Sequence, residues 1–96
     1  MIERKSAVRL RMRSNEVLAV QWTGDVRELP ILFRRHCRES VFKGKLEIDR
    51  HRGWARVRRG NTVQGVVPGD WLVRDENGHL FVMGGARVSE DYEVIE

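Results

Sequence analysis

Ninety-six residues form one domain, 1–96, with a thin core, because a chain this short buries only about 60–65% of the surface it exposes when unfolded. With 41% hydrophobic and 33% charged residues the chain is neither disordered nor membrane-spanning in composition, and its single cysteine, Cys37, excludes an internal disulfide and a CxxC metal knuckle. The net charge of +4 hides an asymmetry: residues 1–60 carry 16 basic and 7 acidic side chains (+9), residues 61–96 carry 2 and 7 (−5).

Such a split has two meanings. The halves attract each other within the fold, or one basic face meets nucleic acid or an acidic partner. The opening "MIERKSAVRLRMRS" is basic but has no apolar stretch of the kind a secretory leader needs. The expected compartment is therefore the host cell cytoplasm, with no membrane association.

Residues 8–13, "VRLRMR", alternate apolar and Arg side chains, the period of a strand with one apolar face. They form a hairpin with the next segment or a loose N-terminal arm (1–13). "VLAVQW", Val17–Trp22, is the second strand, with Leu18, Val20 and Trp22 on one face and Val17, Ala19 and Gln21 on the other.

One helix candidate follows, within 25–38. Asp25 and Glu28 resemble a capping box, but Pro30 would then fall inside the helix, where it removes a hydrogen bond and clashes. A turn at 25–28 followed by a helix from Leu29 to Arg38 resolves the conflict. Leu29, Leu32, Phe33, His36 and Cys37 then face the sheet, and Arg34, Arg35 and Arg38 face water.

Residues 41–96 read as short antiparallel strands. "KLEIDR" and "WARVRR" both alternate, the latter with Ala55 and Val57 opposed to Trp54, Arg56 and Arg58. Gly60-Asn61 joins "WARVRR" to "TVQGVV" as a two-residue hairpin turn. Pro68-Gly69 suits the centre of a type II turn, and Asn77-Gly78 returns "WLVR" into "HLFVM". "DYEVIE" reads as a last edge strand. The predicted fold is α+β: a small curled antiparallel β-sheet or partly closed barrel of five to seven strands with one α-helix packed across it. Trp22, Phe33, Val57, Trp71, Val73, Leu80 and Val82 are expected to share one core.

Two segments, "EVLAVQWTGD" and "VVPGDWLVRDENGHLFVM", together with "DYEVI", resemble a group of small phage and prophage proteins of unknown function. That group carries V-Q-W-T-G-D, a short helix, then P-G-D-W/Y-I/L-I/V and a closing hairpin. The likeness spans about Glu16 to Ile95, with the Arg-rich residues 1–13 as an addition. Relatives have a polar segment with Cys and Pro after the last hairpin, where this chain has Met83-Gly84-Gly85-Ala86. The resemblance implies a phage origin and a fold, not an activity.

No constellation points to catalysis or a cofactor. His36 and Cys37 are helix neighbours pointing about 100° apart, so they form no dyad. The three histidines lack ligand spacing, and Asp25, Asp70 and Asp75 sit in turns, where Asp bonds locally. No phosphate-cradling glycine motif is present. The chain is expected to be non-enzymatic, with neither metal nor cofactor.

What remains is a binding surface. Its candidate residues are Arg9, Arg11, Arg13, Arg34, Arg35, Arg38, Arg50, Arg52, Trp54, Arg56, Arg58 and Arg59. The first reading is protein–protein interaction, with a host or phage protein or as a homodimer through the Val8–Arg13 strand. The alternative is nucleic acid held by Arg forks, with Trp54 stacking a base.

Overall fold

The computed structural model describes residues 7–12, 15–85 and 93–94. Strands run in the order β1 (Val8–Met12), β2 (Asn15–Gln21), β3 (Lys45–Asp49), β4 (Trp54–Arg59), β5 (Thr62–Val66), β6 (Trp71–Arg74), β7 (Leu80–Met83) and β8 (Glu93–Val94). Between β2 and β3 lie a 3-10 turn (Val26–Glu28), the helix α1 (Ile31–Arg34) and a second 3-10 turn (Arg35–Cys37). The chain is therefore mostly β with one short helical segment, α+β in the coarse sense.

The strands divide into two antiparallel sheets, one ordered β7-β6-β2-β1-β8 and one ordered β3-β4-β5. This corrects the expectation of a single curled sheet or partly closed barrel. The division falls at Pro68, which has no N–H with which to continue a ladder from β5. The chain turns there and enters β6, which pairs with β2, Gln21 opposite Trp71, rather than with β5.

That corner joins the two segments quoted above. The Asp70 N–H donates to Val67 O at 3.0 Å around a turn whose Gly69 has φ +101, the geometry of a type II turn. Trp22 N–H donates to Asp70 O (2.8 Å), Gly69 N–H to Trp22 O (2.9 Å) and the Gln21 amide to Gly69 O (3.1 Å). The Gln-Trp and Pro-Gly-Asp segments therefore clasp one another.

Between the sheets lies the main core: Val20, Trp22, Leu72, Leu80 and Val82 from one, Leu46, Ala55, Val57 and Val66 from the other, closed by Leu29 and Phe33. A second, smaller cluster of Leu10, Ala19 and Val73 occupies the opposite face of the five-stranded sheet, with Trp71, Phe81 and Met83 packed against it. Trp71 and Val73 thus leave the predicted common core, and Leu72 takes the place assigned to them. "WLVR" has apolar side chains on both faces, so alternation does not choose between them.

The helix is shorter than predicted. It spans seven residues, four α and three 3-10, and begins after Pro30, which is extended (φ −57, ψ 153) at the N-cap. Asp25 caps the preceding turn by accepting from Arg27 N–H at 2.9 Å. Glu28 does not reach back to Asp25; its carboxylate accepts from the Thr23 hydroxyl at 2.8 Å. The predicted inward face holds, with Leu29, Phe33 and His36 buried and Leu32 and Cys37 partly so.

His36 anchors the helix to the strands. Its Nδ1–H donates to Gly44 O at 2.8 Å in a buried site, and the adjacent Lys43 O accepts from Leu80 N–H at 2.8 Å. Burial, with Arg74 and Lys43 nearby, holds the imidazole below its ordinary value of 6.5, outweighing the Gly44 hydrogen bond and Glu39.

Candidate functional site

Alternation along β4 places Trp54, Arg56 and Arg58 on the outer face of the three-stranded sheet, with Ala55 and Val57 inward. Opposite them on β3, Glu47 accepts from Arg56 Nε at 2.8 Å and from Arg58 Nε at 3.3 Å. The Arg56 bond, joined by Arg58, lowers the Glu47 carboxyl below its ordinary value against a smaller opposing effect of burial. The Arg56 guanidinium also lies 4.4 Å from the centroid of the Trp54 ring, a cation–π contact. Arg59 turns away and covers Phe81 at 3.9 Å.

The other predicted cations are distributed over different elements. Arg9 and Arg11 are exposed on β1, and Arg11 pairs with Glu16 at 3.5 Å. Arg13 lies outside the described residues. Arg34, Arg35 and Arg38 lie along the helical segment, and Arg50 and Arg52 in the β3–β4 turn, where Arg52 reaches Asp49 at 3.9 Å. Arg34, Arg38 and Arg50 converge electrostatically on Cys37, yet burial dominates and pushes the thiol up. A thiol shifted upward is less ionised at neutral pH, and so a weaker nucleophile, than a free one.

Much of the predicted basic face is therefore internally satisfied. Trp54 retains 36% exposure, but its ring carries Arg56. Among the described residues no three of His, Cys, Asp and Glu gather as metal ligands. No described helix is long and apolar enough to cross a membrane.

An exposed sheet edge lies elsewhere, on β5. Thr62, Val63, Gln64 and Gly65 are all exposed, and only Val66 is buried. Among the described residues, β5 pairs with β4 on one side and borders the sheet on the other. Its five residues, "TVQGV", include no charge and no proline, the devices that protect edges from further pairing. The other edge of this sheet, β3, packs against the Arg35–Cys37 turn.

Val63 lies opposite Arg58 and Gly65 opposite Arg56. Val63 is 44% exposed and Val67 61%, so the outer side of this edge is an apolar pair separated by a bare glycine. A Cβ on Gly65 would meet nothing within 4 Å, and its φ lies outside the left-handed range. Nothing among the described residues requires glycine there, although glycine inside a strand is unfavourable. At the same end a cavity of about 410 Å³ opens between Trp22, Ile48, Arg50, Trp54, Gly65 and Pro68.

The Val8–Arg13 strand, by contrast, is flanked on both sides at its centre, at Leu10 and Arg11. β2 pairs along it, and β8 pairs at Leu10 and Arg11, so a second copy has no free ladder to join at those two residues. The alternation of Val8–Arg13 points to a pairing edge at this strand. β5 has the opposite pattern: an uncharged, glycine-containing strand with four of its five residues exposed. No protein-family model, curated protein or solved structure matches this chain.

Proposed function

We propose that the chain is a small, non-enzymatic, phage-encoded protein of the host cytoplasm that works by protein–protein interaction, taking up an extended strand at the β5 edge. The observation that carries this reading is the five-residue uncharged edge itself, exposed at Thr62, Val63, Gln64 and Gly65. Main-chain pairing to such an edge supplies affinity, and pockets beside it supply selectivity. The cavity next to Gly65 and Trp54 supplies one.

The test is capture of host or phage protein on the immobilised chain, after nuclease treatment and at moderate salt, with wild type compared against Gly65→Pro. A partner held by wild type and lost from the variant supports the reading. Equal retention by both overturns it.

Nucleic acid is the second reading, favoured by the β3–β4 hairpin, where residues 45–59 hold six basic and two acidic side chains, +4. Binding of this kind weakens steeply with salt, with a log–log slope proportional to the phosphates contacted. Replacing Arg56, Arg58 and Arg59 together would reduce that slope. A gel shift at moderate salt that retains neither single- nor double-stranded nucleic acid retires this reading.

A further inference from the structure

We infer that the occupant of the β5 edge is a second copy of this chain, joined by antiparallel β5–β5 pairing about a two-fold axis at Gln64. The inference rests on the edge reading above and names its partner.

The hairpin register decides which groups face outward. Arg59 and Thr62 close the two-residue Gly60-Asn61 turn, and the pair closing such a turn exchanges hydrogen bonds with itself. Alternation then directs the backbone groups of Thr62, Gln64 and Val66 toward β4. Those of Val63 and Gly65 point away from the sheet.

A two-fold axis at Gln64 sets Val63 of each copy opposite Gly65 of the other. These are the residues with outward N–H and C=O groups, so each pair exchanges both of its bonds. Val63 seats over the open Cα of the facing Gly65, the position where a side chain would meet nothing within the chain's own fold. Thr62 faces Val66, and Gln64 faces Gln64. A centre at Val63 instead would set valine on valine and leave Gly65 opposite Asn61.

Charge permits this arrangement. An isologous interface brings each residue near its own copy or near neighbours in sequence, and β5 carries no charge to repel itself. The basic hairpins lie behind it. Three ladder spacings of about 4.8 Å separate one β4 from the other, about 14 Å, beyond the Debye length of about 8 Å at physiological salt. The result is one continuous six-stranded sheet, β3-β4-β5 followed by its symmetry mate.

Measurement of solution mass over a concentration series tests the proposal, together with oxidative cross-linking of Gln64→Cys. Mass is expected to rise from 11.2 kDa toward twice that value. Facing residues at non-hydrogen-bonded positions lie about 4.5 Å apart at Cα, within disulfide range. Gln64→Cys is therefore expected to cross-link well above wild type, whose own Cys37 sets the baseline. Gly65→Pro removes an outward N–H and leaves the β4 ladder in place, so it is expected to stay folded and monomeric. Should Gly65→Pro misfold, the Val63→Lys/Gly65→Lys double variant places lysine against lysine at both pairs and is likewise expected to be a folded monomer.

A single 11.2 kDa species at every concentration, with no cross-link above wild type, overturns self-pairing. The edge reading then stands or falls separately, on whether Gly65→Pro releases the captured partner. A dimer that ignores both edge variants and does not cross-link through position 64 also overturns self-pairing at β5, because its interface lies elsewhere, and leaves the edge reading to the Gly65→Pro capture result.

Discussion

Gly44 and Gly65 are chemically identical and physically opposite. Gly44 has φ +101, and a Cβ there would approach the Leu80 Cβ to 2.9 Å and its carbonyl oxygen to 3.0 Å. Gly44→Ala therefore combines left-handed strain with a clash against backbone, and is expected to lower stability by about 2–4 kcal/mol. Gly65→Ala meets no neighbour and reduces the freedom of the unfolded chain, so a gain of about 0.5–1 kcal/mol is expected. Urea unfolding of the two variants checks both signs; a tolerated Gly44→Ala would mean that Leu80 moves aside. His36 gives the pH-sensitive counterpart. Its folded-state value is depressed by burial, so the unfolded chain takes up the proton first as pH falls below 6.5. Stability is then full above that value and declines as pH drops toward the folded value. His36→Gln is expected to remove this dependence as pH falls below about 6.5, whatever it does to absolute stability. An unchanged slope in urea midpoints would assign the effect to other groups.

At the level of elements, the clasp between Trp22 and the Val67–Asp70 turn is expected to have a larger energetic role than the tryptophan that follows it. Trp22 is buried between the sheets and its backbone is bonded to both Gly69 and Asp70. Trp22→Ala is expected to cost about 3–5 kcal/mol. Trp71 is half-buried over the smaller cluster, so Trp71→Ala is expected to cost less, about 1–3 kcal/mol. Chemical unfolding ranks the two, and the reverse order would contradict the placement of the main core. This contrast also marks what the sequence could reveal. Period-two alternation correctly placed Trp54, Arg56 and Arg58 together, and turn chemistry correctly placed Gly60-Asn61 and Pro68-Gly69, because both are local effects. Alternation is silent where both faces are covered, as in Trp71-Leu72-Val73. It is equally silent on which strands become neighbours. The pairing of Leu10 with Val94 spans nearly the whole chain, and no local pattern encodes it. The β5 edge was hidden for the same reason: "TVQGVV" reads as a strand, but its free side depends on β6 having paired with β2.

Over the whole molecule, the N-terminal strand is an integral layer of the larger sheet. β1 lies between β2 and β8 and contributes Leu10, fully buried at 0% exposure, to the cluster with Ala19 and Val73. Arg9 and Arg11 stay exposed on its other face. Removing residues 1–13 would strip the five-residue ladder from β2 and uncover Ala19 and Val73. Loss of Leu10 burial alone forfeits about 1.5–3 kcal/mol, and the ladder adds to it. A domain of this size has about 5–15 kcal/mol in total. The deletion is therefore expected to abolish or greatly lower the cooperative thermal transition followed by circular dichroism. An unchanged melting temperature would show that β1 contributes no net stability. Leu10→Ala is the graded version, expected to cost about 2–5 kcal/mol while leaving the β5 edge on the other sheet intact. If self-association runs through β5, this variant melts earlier but still rises in mass with concentration below its transition. If association instead runs through the N-terminal strand, mass and stability fall together. The two sheets thus separate the roles physically: one carries stability that a single leucine can lower, the other presents the edge on which a partner is expected to add.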